Sequence, residues 1–113
     1  MTSWRQRRVA ELLKEEIGLI TYDLSDPRLA SVSVTDVTVS PDLRHAHVYI
    51  SHLGGAEENT MVLEALEHAS GYIRHELALR KVLRYVPKLS FHIDTSVERG
   101  RRIDELLKEL GLG

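Results

Sequence analysis

Apolar and polar positions follow two rhythms along this chain, and the switches between them mark out its elements. Val9, Leu13, Ile17 and Ile20 recur at helical intervals, and Ser3 with Gln6 has capping-box spacing, so residues 4 to about 21 read as an amphipathic helix. Asp26-Pro27-Arg28 ends this region in a turn. The period then falls to two. Val32 and Val34 share one parity while Val37 and Val39 share the other, which predicts a strand with a bulge or twist at Thr35-Asp36. Beyond a turn at Ser40-Pro41-Asp42-Leu43, Ala46, Val48 and Ile50 alternate with His45, His47, Tyr49 and Ser51, giving a second strand that pairs antiparallel with the first.

Gly54-Gly55 breaks the sheet pattern, and from about residue 58 Val62, Leu66, Ala69 and Ile73 restore a helical face. Gly71 falls inside that period, where glycine costs about 1 kcal/mol relative to alanine, so Ala69-Ser70-Gly71 predicts a kink or a break into two helices. Leu77, Leu79 and Leu83 carry the second half to Tyr85. Pro87 opens a third strand in which Leu89, Phe91 and Ile93 alternate with Ser90, His92 and Asp94. Thr95 and Glu98 then cap a last helix with Ile103, Leu106, Leu107 and Leu110 on its apolar side. The order is α-β-β-α-α-β-α, which gives an α+β architecture with helices against a three-stranded sheet.

A length of 113 residues suits one core, so residues 1–113 are expected to form a single domain. With 42% hydrophobic and 28% charged residues, the chain reads as a soluble globular protein. It shows no membrane-length apolar run and no secretory signal at Met1-Thr2-Ser3-Trp4-Arg5, and a cytoplasmic location is expected. The absence of cysteine excludes disulfides, thiolate chemistry and Cys-type zinc sites. No sustained heptad demands a dimer, and a monomer is expected.

The net charge of −2 and pI near 6.3 differ from the basic excess of most small nucleic-acid binders, but the charges are polarised along the chain. Acids gather at Glu57, Glu58, Glu64 and Glu67. Bases gather at Arg5, Arg7 and Arg8, again at Arg74, Arg80, Lys81, Arg84 and Lys88, and again at Arg99, Arg101 and Arg102. On a helix that continues past Gly71, Arg74, Lys81 and Arg84 share one broad stripe, with Arg80 about 100° from Lys81 at its edge and Lys88 extending it. Such a stripe suits phosphate, although a solvated face near a helix C-terminus has the same composition. Arg5, Arg7 and Arg8 could join that surface, and Arg99, Arg101 and Arg102 offer a secondary contact.

Catalytic constellations are missing from the pattern. There is no Walker loop, no GxGxxG, no nucleophile elbow and no HExxH, and His45 and His47 read as exposed strand residues rather than metal ligands. No metal or cofactor is expected.

The ordered motifs resemble those of the ribosome-binding factor A family, bacterial small-subunit assembly factors with a type II KH fold. The matching pieces are Arg8-Val9, Asp26-Pro27-Arg28, Ser40 with Asp42-Leu43, Ala46-His47-Val48-Tyr49-Ile50-Ser51, and Ala69-Ser70-Gly71 with Arg74. They continue with Arg84, Pro87-Lys88-Leu89-Ser90-Phe91-His92-Ile93-Asp94, Ser96, Glu98, Gly100, Arg102-Ile103 and Leu106-Leu107. The resemblance implies binding to the immature small (30S) subunit and its 16S rRNA, with a role in rRNA processing and subunit maturation. It also implies other assembly factors as further partners, no catalysis, and a connection with adaptation to cold. Ala69-Ser70-Gly71 matches the Ala-X-Gly kink with which that family replaces the GXXG loop of ordinary KH domains. Ser70 and Gly71 therefore join Arg5, Arg7, Arg8, Arg74, Arg80, Lys81, Arg84 and Lys88 as the expected rRNA-binding set. Two other classes remain open: a protein-interaction module whose basic face meets an acidic partner, and a small hydrolase built on His92, Asp94 or the His45 and His47 pair.

Overall fold

The computed structural model of the chain describes residues 3–96 and 107–111. Helix α1 spans Trp4–Tyr22. The Ser3 hydroxyl accepts from the Gln6 N–H at 3.1 Å, and the Gln6 side-chain carbonyl accepts from the Ser3 N–H at 3.0 Å. This reciprocal cap satisfies amides that the first turn would otherwise leave without partners. Val9, Leu13, Ile17 and Ile20 form the buried stripe that periodicity predicts. Each fully buried aliphatic side chain contributes about 1.5–3 kcal/mol, so this stripe outweighs the cap in fixing the helix to the sheet. Asp26 then caps a short 3-10 turn, Pro27–Leu29, accepting from the Arg28 N–H at 2.9 Å and from its guanidinium at 2.7 Å.

Strands β1 (Ser33–Val39) and β2 (His45–Ser51) form the antiparallel hairpin, and β3 (Lys88–Ile93) runs parallel to β2 along its other side. Pairing passes from Val34 with Ile50 directly to Asp36 with Tyr49, which leaves Thr35 as an extra residue. That is the bulge foreseen from the parity change, and it turns Val37 and Val39 into the core. In the hairpin turn, Leu43 donates to the Ser40 carbonyl at 2.9 Å and takes a left-handed φ of 62°. Leucine is an unusual occupant of that conformation, and here its side chain packs against the core.

Helix α2 spans Asn59–Leu79 without a break at Ala69-Ser70-Gly71, so the two expected helices are one. It connects β2 to its parallel neighbour β3 and buries Val62, Ala65, Leu66, Ile73 and Leu77 against the same sheet face as α1. The helical pattern drawn through Leu83 to Tyr85 is also corrected, because α2 stops at Leu79. Lys81 adopts a left-handed φ of 53°, its N–H bonds the Ala78 carbonyl at 3.1 Å, and the Val82 N–H reaches the Leu77 carbonyl at 3.4 Å. These two bonds form a Schellman stop, a place where glycine is the usual residue. The reversal lets Val82, Leu83 and Val86 pack against the core and buries Pro87 before β3 begins.

Residues 107–109 are helical. The start of the expected last helix lies outside the described residues, together with Arg99, Arg101 and Arg102.

Candidate nucleic-acid interface

Four hydrogen bonds bring separate parts of the chain to one end of the sheet. The Gln6 side-chain amide donates to the Val39 carbonyl at 2.9 Å, tying the start of α1 to the end of β1. The Ser40 N–H donates to the His45 carbonyl at 2.9 Å and closes the hairpin. The Lys88 N–H donates to the Arg44 carbonyl at 2.9 Å, and the Arg74 guanidinium donates to the Pro87 carbonyl at 3.2 Å. This hairpin end therefore gathers Arg5, Arg7 and Arg8 from α1, Arg44 from the turn and Lys88 from β3, and all five are exposed.

Among the described residues, the opposite end is acidic. Because α2 leaves the far end of β2 and returns toward the start of β3, Glu57, Glu58, Glu64 and Glu67 lie in the part of the chain remote from the hairpin. Charge separation along the sequence thus becomes charge separation in space.

The cations around α2 are less uniform than their sequence suggests. Arg74, Lys81 and Arg84 do not lie on one continuing helix, because the chain reverses at Lys81. Arg74 is engaged with the Pro87 and Val86 carbonyls, at 3.2 and 3.3 Å, and so fastens the connection between α2 and β3. Arg80 is the C-cap residue and pairs with Glu16 of α1 at 3.2 Å, with Glu76 at 3.9 Å. Lys81 is exposed at the reversal, and the Arg84 guanidinium lies 5.6 Å from the centre of the Tyr85 ring. On α1, Arg8 lies over Trp4 at the same 5.6 Å, which steadies its head group while leaving the residue exposed.

Gly71 is exposed, and an added methyl group would meet nothing within 4 Å among the described residues. Its φ is not positive. Neither helix crossing nor backbone conformation therefore requires glycine here, and its cost of about 1 kcal/mol brings no packing return within this part of the chain. Ser70, beside it, is half-buried.

Arg44 was absent from the expected site. Its signal was the turn itself, since a cation just after Pro41-Asp42-Leu43 is carried to a hairpin tip. Asp42 sets one anion beside that cation, its carboxylate accepting from the Ser40 hydroxyl at 2.6 Å and from the Arg44 N–H at 3.0 Å. The Ser40 bond foremost, then the Arg44 amide, hold its carboxyl below the ordinary value. His45 and His47 are exposed on their strand, as predicted. No group of three or more metal-binding side chains occurs among the described residues.

Comparison with known proteins places this geometry in a family. Residues 5–107 match the family model described as ribosome-binding factor A. A ribosome-binding factor A from Caldanaerobacter subterraneus subsp. tengcongensis is 47% identical over 109 residues, covering 95% of this chain and 89% of the relative. One from Clostridioides difficile is 45% identical over 108 residues, covering 94% and 84%. The crystal structure of ribosome-binding factor A from Thermus thermophilus superimposes with a TM-score of 0.70 at 28% identity, covering 78% of this chain and 94% of that one. A Thermus thermophilus homology model fitted into a cryo-EM map of a 30S complex with ribosome-binding factor A gives 0.60 at 28% identity, covering 84% and 97%. Those structural neighbours are consistent with the KH-like α+β fold. From the family model and the extent of these matches, the chain belongs to the ribosome-binding factor A family.

Proposed function

We propose that this protein is a noncatalytic assembly factor that binds the immature small ribosomal subunit through its 16S rRNA and promotes rRNA processing and subunit maturation. The observation that carries this reading is the convergence of Arg5, Arg7, Arg8, Arg44 and Lys88 at one end of a chain whose net charge is −2. A surface that concentrates cations against an overall acidic charge suits a dense array of phosphates, and phosphate contacts set position without reading sequence. Its membership of a family named for ribosome binding, with a relative fitted into a 30S complex, supports the small subunit as the bearer of that array.

Gly71 fits the same reading. A single exposed position without a side chain lets a ligand backbone approach the helix more closely there than any side chain would permit. Arg74, one turn further along α2, then acts by fixing the α2–β3 connection, while Lys81, Arg84 and Lys88 around that connection are available to phosphate. Binding selective for an unfinished rRNA arrangement stabilises that arrangement while neighbouring elements settle, by differential affinity alone.

Sedimentation of a cell lysate tests the proposal. The protein should travel with free, immature small subunits rather than with complete ribosomes, and depletion should leave small subunits with unprocessed 16S rRNA ends, most strongly in the cold. Normal subunit ratios and normal rRNA ends after depletion would overturn it.

A further inference from the structure

Both described long helices pack on one face of the sheet, so alternation sends His45, His47 and Tyr49 of β2 and Lys88, Ser90 and His92 of β3 to the other. Register places His45 beside Lys88, His47 beside Ser90 and Tyr49 beside His92. Three rings lie together there. His47 Nδ1 and His92 Nε2 are 2.9 Å apart, with ring centres separated by 5.1 Å and planes inclined by 37°. A hydrogen bond that short across that centre separation must run nearly along the line of centres, so the two imidazoles meet edge to edge. Tyr49 continues the array, 5.3 Å from His92 and tilted by 32°.

The two imidazoles, joined at their edges, do not cover each other's faces, and their hydrogen bond holds them as a fixed pair beside the Tyr49 ring. Lys88 and His45 lie in the row nearest the hairpin, next to exposed Arg44, so the three rings border the cationic end of the molecule. Flat π faces next to positive charge suit a ligand that has exposed rings and a phosphate backbone. Double-stranded RNA hides its base faces in its own stack, whereas an unpaired strand can splay its bases onto rings.

We infer that this sheet face, uncovered among the described residues, binds about two or three unpaired nucleotides of rRNA, with bases on Tyr49, His92 and His47 and phosphates toward His45 and Lys88. This rests on the rRNA-binding function proposed above and adds a second contact surface of single-strand specificity.

The test titrates the full-length, isotope-labelled protein with a single-stranded adenosine hexamer, with a fully paired RNA duplex and with an acidic peptide, following ring signals by NMR. The hexamer should shift the signals of His47, Tyr49 and His92, and the other two probes should not. The double variant His47→Ala, His92→Ala should lose hexamer affinity by about tenfold or more. His92→Phe keeps a ring but removes the hydrogen bond, and should retain most of that affinity. Unmoved ring signals with the hexamer, equal hexamer binding by a folded double variant, or shifts with the peptide alone would overturn the inference. Sedimentation of the wild-type protein with immature subunits separates the two ideas. Co-sedimentation with no hexamer response removes only the sheet-face site, whereas failure to co-sediment removes the rRNA-binding function itself.

Discussion

The hairpin end and the far end of this molecule are built from the same secondary structure and, among the described residues, carry opposite charge. At the hairpin end the start of α1, the β1–β2 turn and the start of β3 converge through Gln6, Ser40 and Lys88, each bringing exposed cations. Toward the far end the chain enters α2 through Glu57 and Glu58, where acids favour a helix N-terminus. The difference teaches that one topological fact serves two purposes. Returning α2 beside the sheet completes the core and also carries the acidic half of that helix away from the binding end.

The largest expected effect comes from removing cations at one end and acids at the other. Replacing Arg8, Arg44 and Lys88 together by Gln should weaken small-subunit binding at least tenfold. Each lost phosphate contact should flatten the log–log salt dependence by about 0.7 to 0.9. Replacing Glu57, Glu58, Glu64 and Glu67 by Gln should leave the slope unchanged, since charges beyond a Debye length of roughly 8–10 Å are largely screened. Equal slopes for the two folded variants, measured by subunit-binding titration over a salt series, would dissolve the comparison.

The comparison sharpens within the hairpin end itself. Arg74→Ala removes donors from the Pro87 and Val86 carbonyls, so denaturant unfolding should show a loss of about 1–3 kcal/mol. Arg5→Ala, at an exposed position, should stay within about 0.5 kcal/mol of wild type while still lowering subunit affinity. Gly71→Ala should do the reverse of Arg74→Ala in stability, raising it by up to about 1 kcal/mol because the added methyl group meets open space. Subunit affinity should nonetheless fall; a stabilised variant with full affinity would leave no role for the bare position on the helix.

The smallest effect concerns acid. Asp26 and Asp42 both have carboxyls held below the ordinary value, Asp26 chiefly by the Arg28 guanidinium and Asp42 chiefly by the Ser40 hydroxyl. Lowered folded-state values mean stability that is complete above the unfolded value, near 3.8, and is lost as pH falls through the folded values. Asp26→Asn and Asp42→Asn should therefore cost stability at neutral pH and narrow the loss on acidification below pH 4, followed by thermal melts at a series of pH values.

Most of the fold was legible because its signals are local. The Ser3 and Gln6 cap, the parity change at Thr35 and the alternation in β2 each reside in a few consecutive residues. The end of α2 was not, because no glycine announces it. Lys81 occupies the left-handed position, and the pull of Val82, Leu83, Val86 and Pro87 into the core decides the reversal. That error carried into the candidate site, since the stripe through Arg74, Lys81 and Arg84 assumed a helix that continues. Sequence supplied the cations but not their partners. Arg74 bonds to carbonyls 12 and 13 residues away and Arg80 meets Glu16 across 64 residues, relations that periodicity does not encode.

The outer edge of β1 has a further consequence. Ser40 bonds inward to His45, so alternation turns the peptide groups of Val37 and Val39 outward, where another strand could pair with them. Both positions are already engaged: the Asp36 carboxylate accepts from the Val37 N–H at 2.9 Å, and Gln6 donates to the Val39 carbonyl. With the Thr35 bulge bending the same strand, this edge offers a poor template for a second copy of itself. Two side chains thus resist polymerisation at high local concentration, and losing the Asp36 carboxylate, which lies outside the cationic cluster, would be felt first as poor solubility.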